Sequence, residues 1–290
     1  MSAATAYASF RHGTRDGLWH GRLDLAAGVP PGWVLGVLGQ TGERRSRHAS
    51  TRAAAHGGRR VFVKHYAPPA GWRAGRAFRM ALALERAGFA APCAVLVGRR
   101  GGEGLLATWD VGGVPLAEHV AALEAADAPT RRRKHDLLRR LGAEMARLHE
   151  AGFVPGDLVP SNVQVCGAHL CFLDHDRTRR GRLLVWWGGR RNLVQLGRFV
   201  VPGVSLRDRA RVLVAYARRR GLGRRRRRRL AAWLVRATIR RRCRIDGIDP
   251  ATATRVGFGE LMRCGGPFDH PAPPARAIPG AGTARTGEGP

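Results

Sequence analysis

Residues 156–162 read Gly-Asp-Leu-Val-Pro-Ser-Asn and residues 172–176 read Phe-Leu-Asp-His-Asp, and these two stretches decide the fold prediction. Asp157 and Asn162 are five positions apart, and Asp174 follows twelve positions later. Phosphoryl transfer needs these residue types: one aspartate accepts the proton of the attacking hydroxyl, while an asparagine oxygen and a second carboxylate hold magnesium. The two stretches therefore predict one metal–phosphate centre.

The segments around these stretches indicate how they meet. Apolar runs at 163–165 and 171–173 lie on either side of Gly167, which is typical of a small hairpin. Before the first stretch, apolar residues spaced four, four and three positions apart predict a helix that ends at Gly152. These residues are Leu137, Leu141, Met145 and Leu148. A helix, a loop and a hairpin in this order would bring the polar side chains of both stretches together.

Lys64 is the third element of the pattern. It and Lys134 are the only lysines among 51 basic residues. Arginine replaces lysine readily on a solvated surface but not where one compact ammonium is needed. The β-branched and aromatic run Arg59–Tyr66 follows a turn at 56–58, so we expect a hairpin strand that carries Lys64. A lysine in such a strand is typical of a group that reaches the α and β phosphates of a nucleotide.

The remaining patterns predict a strand-rich first part and a helical second part. Strands are predicted at 34–42 with a glycine turn, at 44–55, at 94–97 and at 105–109; helices are predicted at 75–87, at 191–200, at 205–220 with a Ser205–Asp208 cap, and after Gly223.

We divide the chain into an N-terminal extension at 1–26, a first lobe at 27–110, a second lobe at 111–262 and a disordered Gly/Pro/Ala-rich tail at 263–290, with a hinge at 110–113.

Composition limits the class of protein. With 290 residues and 44% hydrophobic content the chain can build a core, which excludes a wholly disordered protein. The five cysteines are odd in number and lack CxxC spacing, so they indicate neither a zinc site nor a disulfide framework. No stretch approaches the about 18 apolar residues of a membrane span, and no signal peptide is apparent. We therefore expect a cytoplasmic protein, in a reducing compartment or peripheral to a membrane.

The charge balance predicts an anionic partner. The net charge is +30, from 51 basic and 21 acidic residues, which favours nucleic acid, a phosphorylated lipid surface or a charged glycan. The run Arg224–Arg229 has three interpretations: a solvated helix start, a contact with anionic lipid head groups, or nucleic-acid binding. No aromatic residues or groove-reading motifs accompany the run, so nucleic acid is the least favoured of the three.

Each motif alone also has an ordinary structural interpretation. The Asp-x4-Asn spacing can cap a loop, and Lys64 can be a solvated charge on a strand. Asp174 and Asp176 can pair with Arg177 or Arg179 at the surface. The strand lysine, the glycine-stopped helix, the polar loop, the hairpin and the second aspartate nevertheless occur in one order along the chain, which favours a common function over independent coincidences.

In this order the chain resembles the protein-kinase-like superfamily and, within it, the bacterial lipopolysaccharide core kinases that phosphorylate Kdo or heptose. The resemblance runs from about Val34 to about Arg242 through RRVFVKHY, LHEAGFVPGDLVPSNVQV, CFLDHDR, RNLVQLGRF and RDRARVLVAY. It implies a bilobal α+β fold, with a small β-rich N-lobe and a larger, mainly helical C-lobe. ATP would lie between the lobes, with Lys64 at its phosphates, Asp157 as the base, and Asn162 and Asp174 holding Mg²⁺.

The resemblance assigns further residues to the nucleotide. Gly36 and Gly39 match a phosphate-covering loop, and Gly42 continues their spacing. The acidic partner of Lys64 belongs early in the helix that follows the lysine strand. Ala77 stands at that position and Glu85, two turns later, is the only acid of the helix, so Glu85 is assigned to the nucleotide site.

Two supporting positions differ from the family pattern. Pro155 stands where the catalytic loop usually begins with histidine, and Asn192 stands where an aspartate commonly braces the loop backbone. Both changes affect support of the loop rather than its chemistry.

The expected function is transfer of the γ-phosphate of ATP to a sugar hydroxyl of a lipopolysaccharide-core acceptor, at the cytoplasmic face of the inner membrane. Two alternatives stay open. A small-molecule kinase of the aminoglycoside or choline type would use the same loop on a soluble acceptor. A catalytically weak, basic binding protein would keep the architecture without turnover.

Overall fold

The computed structural model describes residues 7–40, 44–46, 49–123 and 127–262. Gly42 and the predicted tail at 263–290 lie outside the described residues. The first part of the chain forms an antiparallel sheet, and the second part is mainly helical.

Seven strands form the first sheet. They are β1 Tyr7–Thr14, β2 Gly17–Asp24, β3 Arg44–Arg45, β4 Ala49–His56, β5 Arg59–Tyr66, β6 Ala94–Arg100 and β7 Glu103–Trp109, in the spatial order β1-β2-β6-β7-β5-β4-β3. The predicted hairpin around 56–58 is confirmed as β4 and β5, and the predicted strands at 94–97 and 105–109 as β6 and β7. The first 25 residues show no period in sequence, yet β1 and β2 form a hairpin that extends the sheet through pairing with β6.

Two helices accompany this sheet, α1 Pro31–Val37 and α2 Trp72–Arg86. The predicted helix at 75–87 is confirmed as α2. The predicted strand at 34–42 is wrong, because residues 31–37 form α1. A proline at the first helical position is favourable there, and Val34 and Val37 are three positions apart and both buried, which suits one face of a helix.

The second part contains the remaining elements. In chain order they are β8 Val114–Pro115, α3 Leu116–Ala122, α4 Ala128–Glu150, β9 Phe153–Val154, β10 Val163–Cys166, β11 His169–Phe172, β12 Arg179–Arg180, α5 Arg182–Gly197, α6 Leu206–Arg219, α7 Arg224–Asp246 and α8 Pro250–Leu261. The helix before Gly152, the hairpin around Gly167 and the capping box of Ser205 and Asp208 are confirmed. Helix α5 begins nine residues earlier than predicted.

Separate cores support the two parts. The sheet packs Val61, Val63 and Leu105 with the buried face of α1, while Leu141 and Met145 of α4 lie in the helical core. A smaller cluster of Leu84, Phe89, Leu148 and Phe153 joins the end of α2 to the end of α4 and to β9. None of the helices in the described part of the chain has the length and apolar character needed to cross a bilayer.

Candidate active site

Lys64 and Asp174 meet between the two parts of the molecule. Lys64 Nζ lies 2.8 Å from Asp174 Oδ1 and 3.8 Å from Asp176 Oδ2. Lys64 lies in β5, whereas both aspartates follow β11, so the contact joins residues more than a hundred positions apart. The structure therefore brings together the predicted phosphate-binding lysine and the predicted metal-binding aspartate.

The backbone at Asp174 is unusual. Asp174 has φ 59° and ψ 67°, and it is the one residue other than glycine with positive φ in the described ranges. Aspartate tolerates this left-handed conformation better than most residues, and such conformations concentrate at functional sites. A 3-10 turn over His175–Arg177 follows, so Asp176 reaches Lys64 through this turn.

His175 fixes this turn from inside. The ring is buried, with Nε2 2.7 Å from the carbonyl oxygen of Phe172 and Nδ1 3.2 Å from Thr178 Oγ1. Burial lowers the pKa of His175 to about 4, so the ring is neutral near pH 7. The turn that orients both aspartates therefore has a neutral support.

The two aspartates have different electrostatic surroundings. Burial alone would raise the pKa of Asp174, but the charge of Lys64 and its hydrogen bond outweigh burial and hold that pKa below its ordinary value. Burial and the nearby charge of Asp174 raise the pKa of Asp176. Asp174 is therefore the more firmly ionised of the pair.

Helix α2 contributes cations to this pair. Arg73 Nη1 lies 3.7 Å from Asp176 Oδ2, and Arg76 donates to the carbonyl oxygen of Thr178 at 3.0 Å.

Tyr66 is buried beside the aspartates, and burial together with their charges raises its pKa. Within the described residues, neither the Tyr66 hydroxyl nor Arg73 Nε has a hydrogen-bond partner. Both atoms therefore keep an unused hydrogen-bonding capacity next to the aspartates.

The loop that carries Asp157 is held by its own asparagine. Asn162 Nδ2 donates to the backbone carbonyl of Asp157 at 3.0 Å, and the backbone carbonyl of Asn162 accepts from Leu173 N at 2.8 Å. The second bond ties the loop to the end of β11, one residue before Asp174. Asp157, Asn162 and Asp174 are thus linked through short backbone connections.

Gly156 allows the loop to approach the aspartate turn. A Cβ atom at this position would lie 2.6 Å from the carbonyl oxygen of Arg177 and would overlap that residue's Cβ. Only glycine leaves space for this contact. The residue before Asp157 therefore packs directly on the turn that contains Asp176.

A buried network of uncharged side chains braces the same loop. Asn192 Nδ2 donates to the Pro155 carbonyl at 2.7 Å, and Gln195 Nε2 donates to the Gly156 carbonyl at 3.0 Å. His149 Nε2 lies 3.1 Å from Asn192 Oδ1, and its Nδ1 lies 3.0 Å from the hydroxyl of Tyr216. Burial lowers the pKa of His149 to about 4, so the ring donates through Nε2 and accepts through Nδ1 in its neutral form.

This network gives the departure at position 192 a structural explanation. An aspartate at position 192 would have no N–H group to donate to the Pro155 carbonyl. The amide of Asn192 supplies that N–H group. The sequence had indicated loss of support at this position. The structure shows support of a different, uncharged kind.

Comparison with known proteins identifies the family. The model of the lipopolysaccharide kinase (Kdo/WaaP) family matches residues 60–216, which is more than half of the 290-residue chain. The chain belongs to this family. The matched segment contains Lys64, Asp157, Asn162 and Asp174, and membership implies that the protein is a kinase that uses ATP.

One solved structure shares the fold over most of its length. A structure of WaaP in complex with acyl carrier protein matches at 23% identity with a TM-score of 0.56, covering 74% of this chain and 93% of that chain. An aminoglycoside-3'-phosphotransferase of type VIII is 19% identical, with a TM-score of 0.42, and covers 62% of this chain and 84% of that chain. In all, 514 solved chains match, so the fold by itself does not fix the acceptor. No curated protein matches the sequence.

The structure places Glu85 away from Lys64, and a nucleotide contact at Glu85 stays a prediction. Glu85 is exposed and lies twelve positions after Arg73, about 18 Å further along the helix axis. Lys64 is paired with Asp174 instead, and Ala77 is buried in the core under the sheet. The end of α2 near the aspartates carries arginines where the resemblance led us to expect a glutamate.

Gly36 and Gly39 do not lie in the strand and glycine turn from which they were assigned to the nucleotide. Gly36 lies in α1, and Gly39 N donates to the Gly36 carbonyl in the turn that follows. Helix α1 packs with Val61 and Val63, whose side chains point to the opposite face of β5 from Lys64. The structure does not bring these glycines to Lys64 as a strand–turn–strand cover, and a nucleotide contact at either stays a prediction.

The residues at the site fit magnesium. Protein magnesium sites commonly use one or two carboxylates and complete their shell with water and substrate phosphates. Asp174 and Asn162 supply a carboxylate and an amide, and the Tyr66 hydroxyl near Asp174 has no hydrogen-bond partner among the described residues. Within the described ranges, no group of three His, Cys, Asp or Glu side chains could hold a metal ion.

A separate apolar cavity of about 320 Å³ lies among helices α3 to α8. Its lining includes Leu116, Val120, Leu196, Leu213 and Leu234, and none of the predicted nucleotide residues. The cavity is therefore distinct from the site of Lys64 and Asp174.

Sequence reasoning missed several residues of the site. These residues are Tyr66, Arg73, His149, Gln195 and Tyr216; all but Arg73 lie within the stretches that carry the resemblance, yet none was given a role there. Arg73 is one arginine among many, and the other four contribute through packing that spacing along the chain does not reveal.

Proposed function

We propose that this kinase transfers the γ-phosphate of ATP to a hydroxyl of a Kdo or heptose sugar in a lipopolysaccharide-core acceptor. The observation that supports this most directly is the 2.8 Å contact of Lys64 with Asp174, beside the loop of Asp157 and Asn162 and within the segment that matches the family. The proposal adds the sugar acceptor to the kinase activity that family membership implies.

In this proposal each residue has a defined role. The Asp157 carboxylate accepts the proton of the sugar hydroxyl as the hydroxyl attacks phosphorus. The Lys64 ammonium binds the nucleotide phosphates, and Asp174 and Asn162 would hold Mg²⁺. When bound, magnesium neutralises charge on the phosphates. Asn192 and Gln195 act as positioning residues, since they hold the carbonyls of the two residues before Asp157.

The test of the proposal is direct. Purified protein is incubated with ATP, Mg²⁺ and a panel of Kdo-terminated and heptose-containing core glycolipids, and the products are identified by mass spectrometry. We expect a mass gain of one phosphate on at least one glycolipid. Phosphorylation of an aminoglycoside or choline with no glycolipid product would favour the small-molecule alternative. Absence of magnesium-dependent ATP turnover with every acceptor would favour a binding protein.

We also place the chain at the cytoplasmic face of the inner membrane, in peripheral contact with anionic lipid. The net charge of +30 and the lipid-linked acceptor support this location, with nucleic acid as the less favoured anionic partner. Vesicle binding that falls steeply between low and physiological salt is the expected result. Duplex DNA that displaces the protein from vesicles would favour nucleic acid.

An acyl carrier protein is a second candidate partner. The relative WaaP was solved in complex with such a protein, and the apolar cavity of about 320 Å³ has the lining that an acyl chain requires. Calorimetry should show tighter binding of acylated than of unacylated carrier protein. Ala117→Phe, in the cavity lining, should remove that difference, and Ala122→Phe, exposed on the same helix, should retain it. Equal binding of both carrier forms would contradict this candidate.

A further inference from the structure

The first two turns of α5 expose four large apolar side chains in succession. Relative exposures are 89% for Leu183, 42% for Leu184, 63% for Trp186 and 75% for Trp187. Single exposed apolar residues are common in soluble proteins, but a contiguous group that includes two tryptophans marks an interaction surface.

The orientation of α5 is fixed, so this exposure is a property of the fold. Val185, Gly189 and Asn192 are buried and recur at the spacing of one helix face. A Cβ atom at Gly188 would overlap the side chain of Val154, and Asn192 is hydrogen-bonded to the Pro155 carbonyl. The face that carries Trp186 and its exposed neighbours therefore points away from the core.

Arginines surround the apolar group. Arg179, Arg180, Arg182, Arg190 and Arg191 are all exposed. Between Asp176 and Asp246 the only acidic residue is Asp208, which is buried and lies 3.0 Å from Lys134 Nζ. A surface of this composition is complementary to a partner with dense negative charge and an apolar layer beneath it.

Helix α7 extends the basic region. The guanidinium of Arg190 lies 5.6 Å from the ring centres of both Trp186 and Trp233. Arg229 and Arg226 precede Trp233 by four and seven positions, which places them on the same face of α7. The run Arg224–Arg229 therefore ends about one turn before Trp233, which contacts Arg190 of α5.

We propose that the exposed side chains at 183, 184, 186 and 187 form a membrane-docking surface that inserts into the interface of an anionic bilayer. Tryptophan favours the boundary between head groups and acyl chains, and leucine favours the layer beneath. Arginines around the insertion bind anionic head groups. A bilayer supplies both chemistries over one contiguous face.

The position of this docking surface also serves the proposed function. Strand β12, directly before α5, pairs with β9, and Gly181 N donates to the Gly152 carbonyl at 2.8 Å. Three residues after β9 the chain reaches Asp157. If the acceptor is the proposed lipid-linked sugar, a protein seated on the bilayer through α5 would hold the loop of Asp157 close to it.

The experiment uses the full chain and vesicles of phosphatidylcholine with or without phosphatidylglycerol. We compare wild type with a Leu183→Ser, Trp187→Ser double variant and with a matched control, Leu25→Ser with Val256→Ser, which also removes exposed apolar side chains. Wild type and control should bind the anionic vesicles, with a blue shift of tryptophan fluorescence. The double variant should bind at least about tenfold more weakly, with a smaller shift.

Several results would overturn the proposal. Equal vesicle binding by wild type and double variant would remove α5 from the contact, and equal binding to neutral vesicles would remove the role of the arginines. A wild-type dimer that the double variant converts to a monomer in light scattering, without vesicle binding, would assign the surface to self-association.

A soluble acceptor separates this inference from the proposed function. With a deacylated core sugar, the double variant should transfer phosphate at a rate within about twofold of wild type, because the surface acts only on bilayer-bound acceptor. A large loss with the soluble sugar would show that α5 acts through the loop and would overturn the docking role. Vesicle binding without transfer to any sugar would overturn the sugar-kinase proposal and leave the docking surface.

Discussion

The catalytic loop and the lysine site lie side by side, but different forces hold them. Hydrogen bonds among buried, uncharged groups hold the loop, through Asn192, Gln195 and His149. Half-exposed charges organise the lysine site: Lys64 side-chain exposure is 22% and that of Asp174 is 35%. Hydrogen bonds between buried uncharged groups do not respond to salt, and the protein loses stability when one partner is removed. Partly exposed ion pairs are screened by salt and contribute little to stability.

This difference indicates how the two regions divide the work. A base must stand at a fixed distance from its substrate, which favours rigid support. A group that binds phosphates must exchange its partners when the nucleotide arrives, which favours ion pairs that re-form at small cost. Substitutions in the loop should therefore affect transfer, and substitutions at the lysine site should affect nucleotide binding.

The largest effect is expected at the loop. Asp157→Asn should lower the rate of phosphate transfer by at least about a hundredfold, since general base catalysis supplies that much, while ATP-magnesium affinity stays nearly unchanged. Single-turnover kinetics and calorimetry measure the two quantities. Asp136→Asn, an exposed aspartate of α4, is the matched control and should alter neither. Transfer that survives in the Asp157 variant would refute the base assignment.

At the lysine site the expected loss is in binding. Asp174→Asn should weaken magnesium-dependent nucleotide binding by more than the about 10- to 100-fold that loss of a residue supporting a ligand costs, because the negative charge of a direct ligand is lost. Asp176→Asn should retain most of the affinity, since Lys64 lies 3.8 Å from it and 2.8 Å from Asp174. Equal losses in titration calorimetry would show that the two carboxylates act as one unit.

The neutral network predicts a particular pH dependence. The folded-state pKa of His149 is about 4, below the unfolded value of about 6.5, so its contribution is complete above pH 6.5 and is lost as pH falls toward 4. The loss is up to about 3 kcal/mol, with a slope of about 1.4 kcal/mol per pH unit. His175 adds a second such group.

Asn192→Asp sharpens this prediction. A carboxylate beside His149 stabilises the charged ring and raises its pKa, so the loss of stability between pH 6.5 and 4 should be smaller than in wild type. Denaturant unfolding at several pH values measures the slope. If the unfolding free energy of the variant falls with pH as steeply as that of wild type, the low pKa of the buried His149 is not the cause of the pH dependence.

The smallest effect is expected at the edge of the charged cluster. Arg73→Gln removes the contact with Asp176 and should weaken ATP binding by up to about fivefold, equal to about 1 kcal/mol, with less difference at high salt. Arg79→Gln, exposed on the same helix, should leave affinity unchanged. An equal effect of both substitutions would indicate a general loss of positive charge.

The sequence by itself determined the local elements and the order of the reactive residues. Lys64, Asp157, Asn162 and Asp174 lie in short motifs whose types and spacing reflect chemistry within one loop or strand. The hairpin at 163–172 and the helix before Gly152 are likewise set by periodicity and by glycine. Such patterns are local, so they are legible without a structure.

The tertiary structure alone decided which groups meet across the lobes. The Lys64 partner is Asp174 and not Glu85, because the end of α2 at the aspartates presents arginines and Glu85 lies at the far end of the helix. Residues 31–37 form a helix because packing on the buried face of β5 outweighs the strand-like glycine pattern. The loop braces and the exposed face of α5 likewise follow from which helix faces are buried, and burial is a property of the packed molecule that no local pattern encodes.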